Sequence, residues 1–450
     1  MPSKITLTIT QGQHPGREYI FDTRTTCIIG RSPDCNPQLP NDSAHLTISR
    51  YHCLLDINPP NIRIRDFGSL NGTYVNGDKI GQREFHQTPQ EGEKLKFPEY
   101  DLQTGDEIQL GNTVFKIAIE VDQTEIKNPY IVIPSQHQED KSTHSETIKR
   151  LLTASENGVA TLQVISGYKI VKLLSKDQFR EVYLVKHSQT QKYVALKIMI
   201  PMVIGNERSL DMFKRGLANY QALDHCRIVK LFDYGLYDNV FFFTMEYCKG
   251  GNVGDLMHKS GGKLPVDLSV DMMLQVLDGL IYAHNAEVPD IKSPHESFAS
   301  CKGLIHCDLK PSNIFLAYED DARVAKIADY GLAKAFDVAG LSGQTLTDEA
   351  SCSLEFMPRQ QVLNFKYAQP EIDVWAAAAC LYNMITGEFP RDFTGEKVLA
   401  VLQNNPVSIR HRDNTLPKEL ADVIDLALVE KPDIYFKSAV SFKKALLNAL

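Results

Sequence analysis

The periodicity of this chain changes twice, and each change limits what the next stretch can fold into. Up to about residue 120, apolar and polar residues alternate in short runs, as in Ile5–Ile9, Ile62–Ile64 and Val114–Ile119. Period-two runs of this length read as half-buried strands. Asn71-Gly72, Asn76-Gly77 and Gly111-Asn112 punctuate them, and such dipeptides suit the positive φ of tight turns. Several short strands at close spacing predict an all-β sandwich or barrel. From 121 to about 163 the chain turns polar and rich in Gln, Glu, Ser and Thr. That stretch buries too little apolar area to fold alone and reads as a flexible linker. After Gly167, strand-like runs (Glu181–Lys186, Tyr193–Met199, Val240–Tyr247) precede helical patterns (Val266–Ala283, Ile372–Thr386, Leu416–Val429). A β-rich lobe followed by a helical lobe is an α+β order.

Composition narrows the function classes. A chain of 450 residues exceeds one hydrophobic core, and length alone suggests about two or three domains. The net charge of −8 argues against a general nucleic-acid binder. Nine cysteines with no CxxC pair argue against a zinc site and for reduced thiols, hence a cytoplasmic setting. The N-terminus lacks the apolar core of a signal peptide. The apolar run Val374–Ile385 is shorter than the roughly 20 residues that span a bilayer, so no membrane span is expected.

Four pieces of the first region share an order: Gly30-Arg31-Ser32, Ser49-Arg50-Tyr51-His52, Asp66–Thr73 and Leu110-Gly111-Asn112. Together they resemble the forkhead-associated (FHA) domain over roughly residues 5–119. The resemblance implies a β-sandwich that binds phosphothreonine peptides. A phosphate near neutral pH carries about −1.5 to −2 charges and three acceptor oxygens, which arginine forks and a hydroxyl satisfy with charge-assisted hydrogen bonds. By match, Arg31, Ser49 and Arg50 face the phosphate and Asn71 holds the peptide backbone. His52 braces the Ser49 loop, and Gly30 permits a tight turn.

A second set lies further on: Val194-Ala195-Leu196-Lys197, then Ile305–Leu316 containing His306-Cys307-Asp308-Leu309-Lys310-Pro311-Ser312-Asn313, then Asp329-Tyr330-Gly331. This resembles the protein-kinase signature set, from about Gly167 to the C-terminus. The resemblance implies partition into a sandwich (1–120), a linker (121–163) and a kinase domain (164–450, with lobes 164–248 and 249–450). Phosphoryl transfer has a loose, highly charged transition state and is catalysed mostly by positioning and charge neutralisation. By match, Asp308 orients the attacking hydroxyl and Lys310 balances the γ-phosphate. Asn313 and Asp329 are hard oxygen ligands for Mg²⁺, and Lys197 holds the α/β-phosphates of ATP. Glu246 and Cys248 offer hinge backbone to adenine. Phe315 lies beneath the ring, and Leu174, Val182 and Ala195 complete the nucleotide pocket. Ser353 aligns with a hydroxyl that favours Ser/Thr acceptors in protein substrates.

The set also departs from the family pattern. The glycine loop reads Ser175-Lys176-Asp177-Gln178-Phe179-Arg180, so no glycine lets the backbone approach phosphates. Asp177 adds negative charge there, which Lys176 and Arg180 can offset; Arg180 can itself cover a phosphate. The glutamate that partners Lys197 falls on Gly216, with Asp211 the nearest acid that a shifted helix would offer. Cys307 replaces the Arg of His-Arg-Asp, and the Ala-Pro-Glu segment reads Pro358-Arg359-Gln360 while Tyr435 stands at its late Arg partner. Loss of both partners leaves no buried charge uncompensated and predicts an alternative brace. Asn285–Gly303 is a polar insertion. Two readings stay open here: an active Ser/Thr kinase whose FHA module recruits phosphorylated proteins, or a pseudokinase scaffold. Thr345 on the activation loop, and Thr143, Thr147 and Thr153 in the linker region, are candidate ligands for the Arg31 pocket.

Overall fold

The computed structural model describes residues 3–22, 25–33, 35–92, 95, 97–121, 167–176, 180–199, 207–237, 240–287, 303–320, 322–330, 353–363, 369–393 and 397–450. Asp177, Phe179, the threonines at 143, 147, 153 and 345, most of the linker and most of the Asn285–Gly303 insertion lie outside them. The chain divides into two compact units. One holds 1–128, 344–437 and 445–450; the other holds 129–343 and 438–444.

Residues 3–121 form two antiparallel sheets. Strands β1 (Lys4–Gln11), β2 (Glu18–Phe21), β6 (Thr73–Val75), β7 (Asp78–Gly81), β9 (Glu107–Leu110) and β10 (Thr113–Glu120) make one, in the order β2-β1-β10-β9-β6-β7. Strands β3 (Thr25–Ile29), β4 (Cys53–Asn58), β5 (Asn61–Asp66) and β8 (Tyr100–Asp101) make the other. Inward residues of both, among them Ile5, Leu7, Ile29, Leu55, Ile64 and Phe115, share one core, as period-two alternation requires. The hairpins follow from their dipeptides. Asn76 and Gly77 both take positive φ (52° and 87°) between β6 and β7, and Gly111 takes φ 55° between β9 and β10.

The second unit opens with a five-stranded sheet in the order β11-β12-β13-β15-β14. Its strands are β11 (Tyr168–Lys176), β12 (Arg180–His187), β13 (Tyr193–Met199), β14 (Leu231–Tyr237) and β15 (Val240–Glu246). Helix α1 (Glu207–Ala222) links β13 to β14. Then come α2 (Val253–Lys259), capped at Asn252 by a capping box with Asp255, and α3 (Val266–Asn285). The hairpin β16 (Ile314–Glu319) and β17 (Ala322–Ile327) carries the signature residues on its flanks.

Helices α4 (Arg359–Leu363), α5 (Glu371–Thr386), α6 (Lys397–Gln403), α7 (Lys418–Ala427) and α8 (Ala439–Asn448) follow. Helix α5 is buried on every face from Ile372 to Ile385, which explains its unbroken apolar run. It is a core helix, and among the described residues no helix is long and apolar enough to cross a membrane. Within the first unit, Ile28, Cys35, Leu54 and Phe67 of the sandwich share an apolar cluster with Leu354, Met357, Val362, Val398, Leu399, Val401 and Leu402. The β3–β4–β5 sheet thus has two covered faces.

The brace expected in place of the missing ion pair is built from residues of reversed charge. Arg359, at the Ala-Pro-Glu segment, donates through Nη1 to Glu430 Oε1 at 2.7 Å and through its backbone N–H to Oε2 at 2.8 Å. Arg391 donates to the same Oε1 at 2.5 Å and lies over the Trp375 ring, 4.4 Å from its centroid. All three charged side chains are at most 3% exposed. Arg359 also donates to the carbonyls of Leu402 and Asn404, and Arg391 to that of Met357. The carboxylate therefore ties α4, α6 and the end of α7 together.

Candidate functional site

In the sandwich, the four sequence pieces meet on loops at one end. The Arg31 backbone N–H donates to Ser49 O at 3.2 Å and that of Ser32 to Arg50 O at 3.0 Å. The Arg31 guanidinium is held by the Ile48 carbonyl and the Asn41 side chain. Ser49 Oγ accepts from the Leu70 N–H at 3.2 Å, and Asn71 Nδ2 donates to Thr47 O at 2.7 Å. So Arg31, Ser49, Arg50 and Asn71 lie on loops bonded to one another.

His52 is fully buried, and burial lowers its pKa, with Asp66 opposing. It is therefore neutral near pH 7. Its Nδ1 accepts from the Ser49 N–H at 3.0 Å, which leaves Nε2–H to donate to Gly72 O at 3.0 Å. This is the expected brace of the Ser49 loop. Gly30 does not take a positive φ; what demands glycine there is close approach. A Cβ there would lie 2.1 Å from the Arg50 carbonyl oxygen, so only glycine admits the Arg50 backbone so close. Losing one charge-assisted hydrogen bond costs about 1.5–3 kcal/mol. Arg31→Ala or Ser49→Ala is expected to weaken phosphothreonine-peptide binding at least tenfold by fluorescence anisotropy, with unchanged binding in both counting against these roles.

In the second unit, Lys197 on β13 and Asp329 after β17 meet directly. Lys197 Nζ donates to Asp329 Oδ2 at 2.8 Å. No acid stands at Gly216, which lies one turn before Tyr220 on α1; the Asp211 side chain lies outside the described residues. What anchors α1 is aromatic. Tyr220 is buried, donates to Val229 O at 2.9 Å, and lies 6.4 Å from Tyr330, ring to ring. Tyr330 in turn packs edge-on against His306 at 4.9 Å. Burial raises the pKa of Asp329, but Lys197 and then Arg180 pull it down further, so it stays below the usual carboxylate range.

His306 holds the backbone of the Asp308 loop. Its Nδ1 accepts from the Asp308 N–H at 3.1 Å, and Nε2 donates to Ala328 O at 2.7 Å. Between them Cys307 takes φ 67°, and Asp329 takes φ 60°. Left-handed backbone at two non-glycine residues stores strain of about 1–3 kcal/mol each, a usual companion of functional sites. Lys310 Nζ lies 2.9 Å from Asp308 Oδ2, and Asn313 Nδ2 donates to that oxygen at 3.1 Å and to Asp308 O at 2.8 Å.

The hinge follows from glycine. Gly250 N–H donates to Leu316 O and Leu316 N–H to Gly251 O, and a Cβ on Gly250 would lie 2.6 Å from that Leu316 oxygen. The segment after Cys248 is thereby pinned against the strand that carries Phe315. Glu246 accepts from Lys326 at 2.7 Å, a pair unforeseen from sequence. Burial, then Glu246, pushes the Cys248 thiol up to about 12, so it stays protonated near neutral pH. Val182 pairs with Lys197 and Ala195 with Met245 in register. Leu174 falls where the β11–β12 register slips and is 36% exposed.

The protein kinase domain model matches residues 168–433, which is more than half of the sequence. The chain belongs to the protein kinase family. An FHA domain model matches residues 27–111, so the kinase carries an FHA domain ahead of its catalytic fold. The kinase is 24% identical over 282 residues to the serine/threonine-protein kinase PrkC of Bacillus subtilis, covering 61% of this chain and 39% of that one. It is 30% identical over 230 residues to the carbon catabolite-derepressing protein kinase of Candida albicans, covering 51% and 33%. It spans little more than a third of the length of the curated relatives it matches. Among solved structures, Rad53 with AMP-PNP aligns over 98% of this chain and all of that one at 21% identity and TM-score 0.49. The kinase domain of PknI from Mycobacterium tuberculosis aligns over 65% and 98% at 22% and 0.47.

Proposed function

We propose that this kinase transfers the γ-phosphate of ATP to serine or threonine hydroxyls of proteins, and that its FHA domain binds phosphothreonine segments of partner or substrate proteins. The observation that carries the reading is the paired arrangement Lys197–Asp329 and Asp308–Lys310–Asn313, five polar groups held within 3.1 Å of their partners. In the reaction the acceptor hydroxyl attacks the γ-phosphorus, its proton passes to Asp308, and the bond to ADP breaks. Lys310 offsets the charge on the transferring oxygens. Lys197 serves the α/β-phosphates; Leu174, Val182, Ala195 and Phe315 enclose adenine; Glu246 and Cys248 offer it hinge backbone.

Asp329 and Asn313 fit a magnesium ion. Asn313 Nδ2 is turned to Asp308, which points its amide oxygen the other way, and carboxylate with amide oxygen is the hard donor set that Mg²⁺ takes beside phosphates and water. The ion, when bound, neutralises polyphosphate charge. Arg31, Ser49 and Arg50 grip the phosphothreonine, and Asn71 its backbone. The sandwich (1–120), linker (121–163) and catalytic part (164–450) are the corresponding modules, and a cytoplasmic setting suits the reduced thiols. Incubating the full chain with radiolabelled ATP, magnesium and serine, threonine or tyrosine peptides tests the proposal. Label on serine or threonine supports it; ATP binding with no transfer to any acceptor favours the scaffold reading.

A further inference from the structure

We propose that Arg180 is a nucleotide-phosphate contact, its side chain doing what close backbone approach does in a glycine-lined loop; this rests on the ATP-dependent reading above. Strand register carries the first step. Arg180 pairs with Met199, and Val182 with Lys197. Cross-strand partners share a face, as do alternate residues along a strand. Arg180 and Val182 therefore project to the same side of the sheet as Lys197.

Distance carries the second step. Arg180 Nη1 lies 4.0 Å from Asp329 Oδ2, the oxygen that Lys197 Nζ reaches at 2.8 Å. Two positive charges from neighbouring strands thus converge on one carboxylate. The acid beside Arg180 in sequence does not share this face. Glu181 points to the opposite face, where it pairs with Lys176 at 2.5 Å and accepts from the Tyr183 hydroxyl.

Accessibility separates the two cations. The Lys197 side chain is 7% exposed and that of Arg180 is 43%, so Arg180 is the one a phosphate meets first. A guanidinium carries five N–H donors in a planar fork whose geometry matches phosphate oxygens. Its long stem spans a gap that a backbone amide closes only where glycine permits. Asp329 is the carboxylate proposed above to hold the metal beside the polyphosphate, so a contact next to it would fall on the β- and γ-phosphates and not on the base or the α-phosphate.

The discriminating experiment titrates AMP, ADP and ATP, each with magnesium, into the full chain by calorimetry, using wild type, Arg180→Met and Arg180→Lys. Arg180→Met is expected to weaken ATP about tenfold or more, the loss of one charge-assisted contact, and to leave AMP affinity unchanged. Arg180→Lys recovers part of the loss. An unchanged melting temperature shows that the variants are folded. Equal ATP affinity in wild type and Arg180→Met, or parallel losses for AMP and ATP, overturns the contact while leaving the kinase reading in place. A wild-type chain that binds no ATP removes the kinase reading and the contact with it.

Discussion

Asp308→Asn is expected to lower the phosphate-transfer rate by about a hundred- to ten-thousand-fold, the usual contribution of a positioned general base and the role proposed for Asp308. The substitution keeps the size and shape of the side chain. Lys310 and Asn313 both approach Oδ2, and an amide oxygen still accepts from them. What is lost is the group proposed to take the hydroxyl proton. ATP affinity should therefore stay within the wild-type range while single-turnover transfer to a serine peptide collapses. The split matters, because a merely structural role for Asp308 would lower both. Full transfer in the variant would take Asp308 out of the reaction.

The second large effect concerns stability. Glu430→Ala is expected to cost about 3–5 kcal/mol, the loss on breaking a buried ion pair from one side. Its carboxylate is the shared partner of Arg359 and Arg391, so truncation leaves two guanidinium groups desolvated with carbonyl partners alone. Burial already depresses the Arg391 pKa against the pull of Glu430, and the strain grows when that pull is gone. Urea unfolding followed by Trp375 fluorescence reads the change directly, since Arg391 lies over that ring. Replacing all three residues together, Arg359→Met, Arg391→Met and Glu430→Leu, should recover much of the loss, because an apolar core carries no unpaired charge. A cost below about 1 kcal/mol for Glu430→Ala, the level of an exposed pair, would show that water reaches the site.

Much of this was legible in the sequence because it is local. Asn76-Gly77 specifies its own hairpin through two positive φ angles. The runs Tyr193–Met199 and Val266–Ala283 matched β13 and α3 to within two residues. Asp308, Lys310 and Asn313 lie within six residues of one another, so their meeting needs only one turn of chain. What escaped depends on long-range pairing. Arg359 and Glu430 are 71 residues apart, and neither lies at the position where the family pattern looks for its charge. Gly30 was legible as a turn residue, but the Arg50 carbonyl that crowds it arrives from a separate loop and was not. The orientation of Arg180 required the β12–β13 register, which alternation alone does not supply. The Tyr220–Tyr330 contact joins two ordinary-looking tyrosines that only the fold makes neighbours.

The apolar cluster joining Ile28, Leu54 and Phe67 to Val398, Leu399 and Leu402 bears on how the molecule can be dissected. Modular architecture on paper suggests that the two functions separate at the polar linker. Here a fragment lacking the first 120 residues would present that oily layer to water and tend to self-associate. Removing the FHA domain would thus handicap the rest of the chain by insolubility before any question of signalling arises, and point substitutions in the Arg31 and Ser49 loops are the cleaner way to test what it binds.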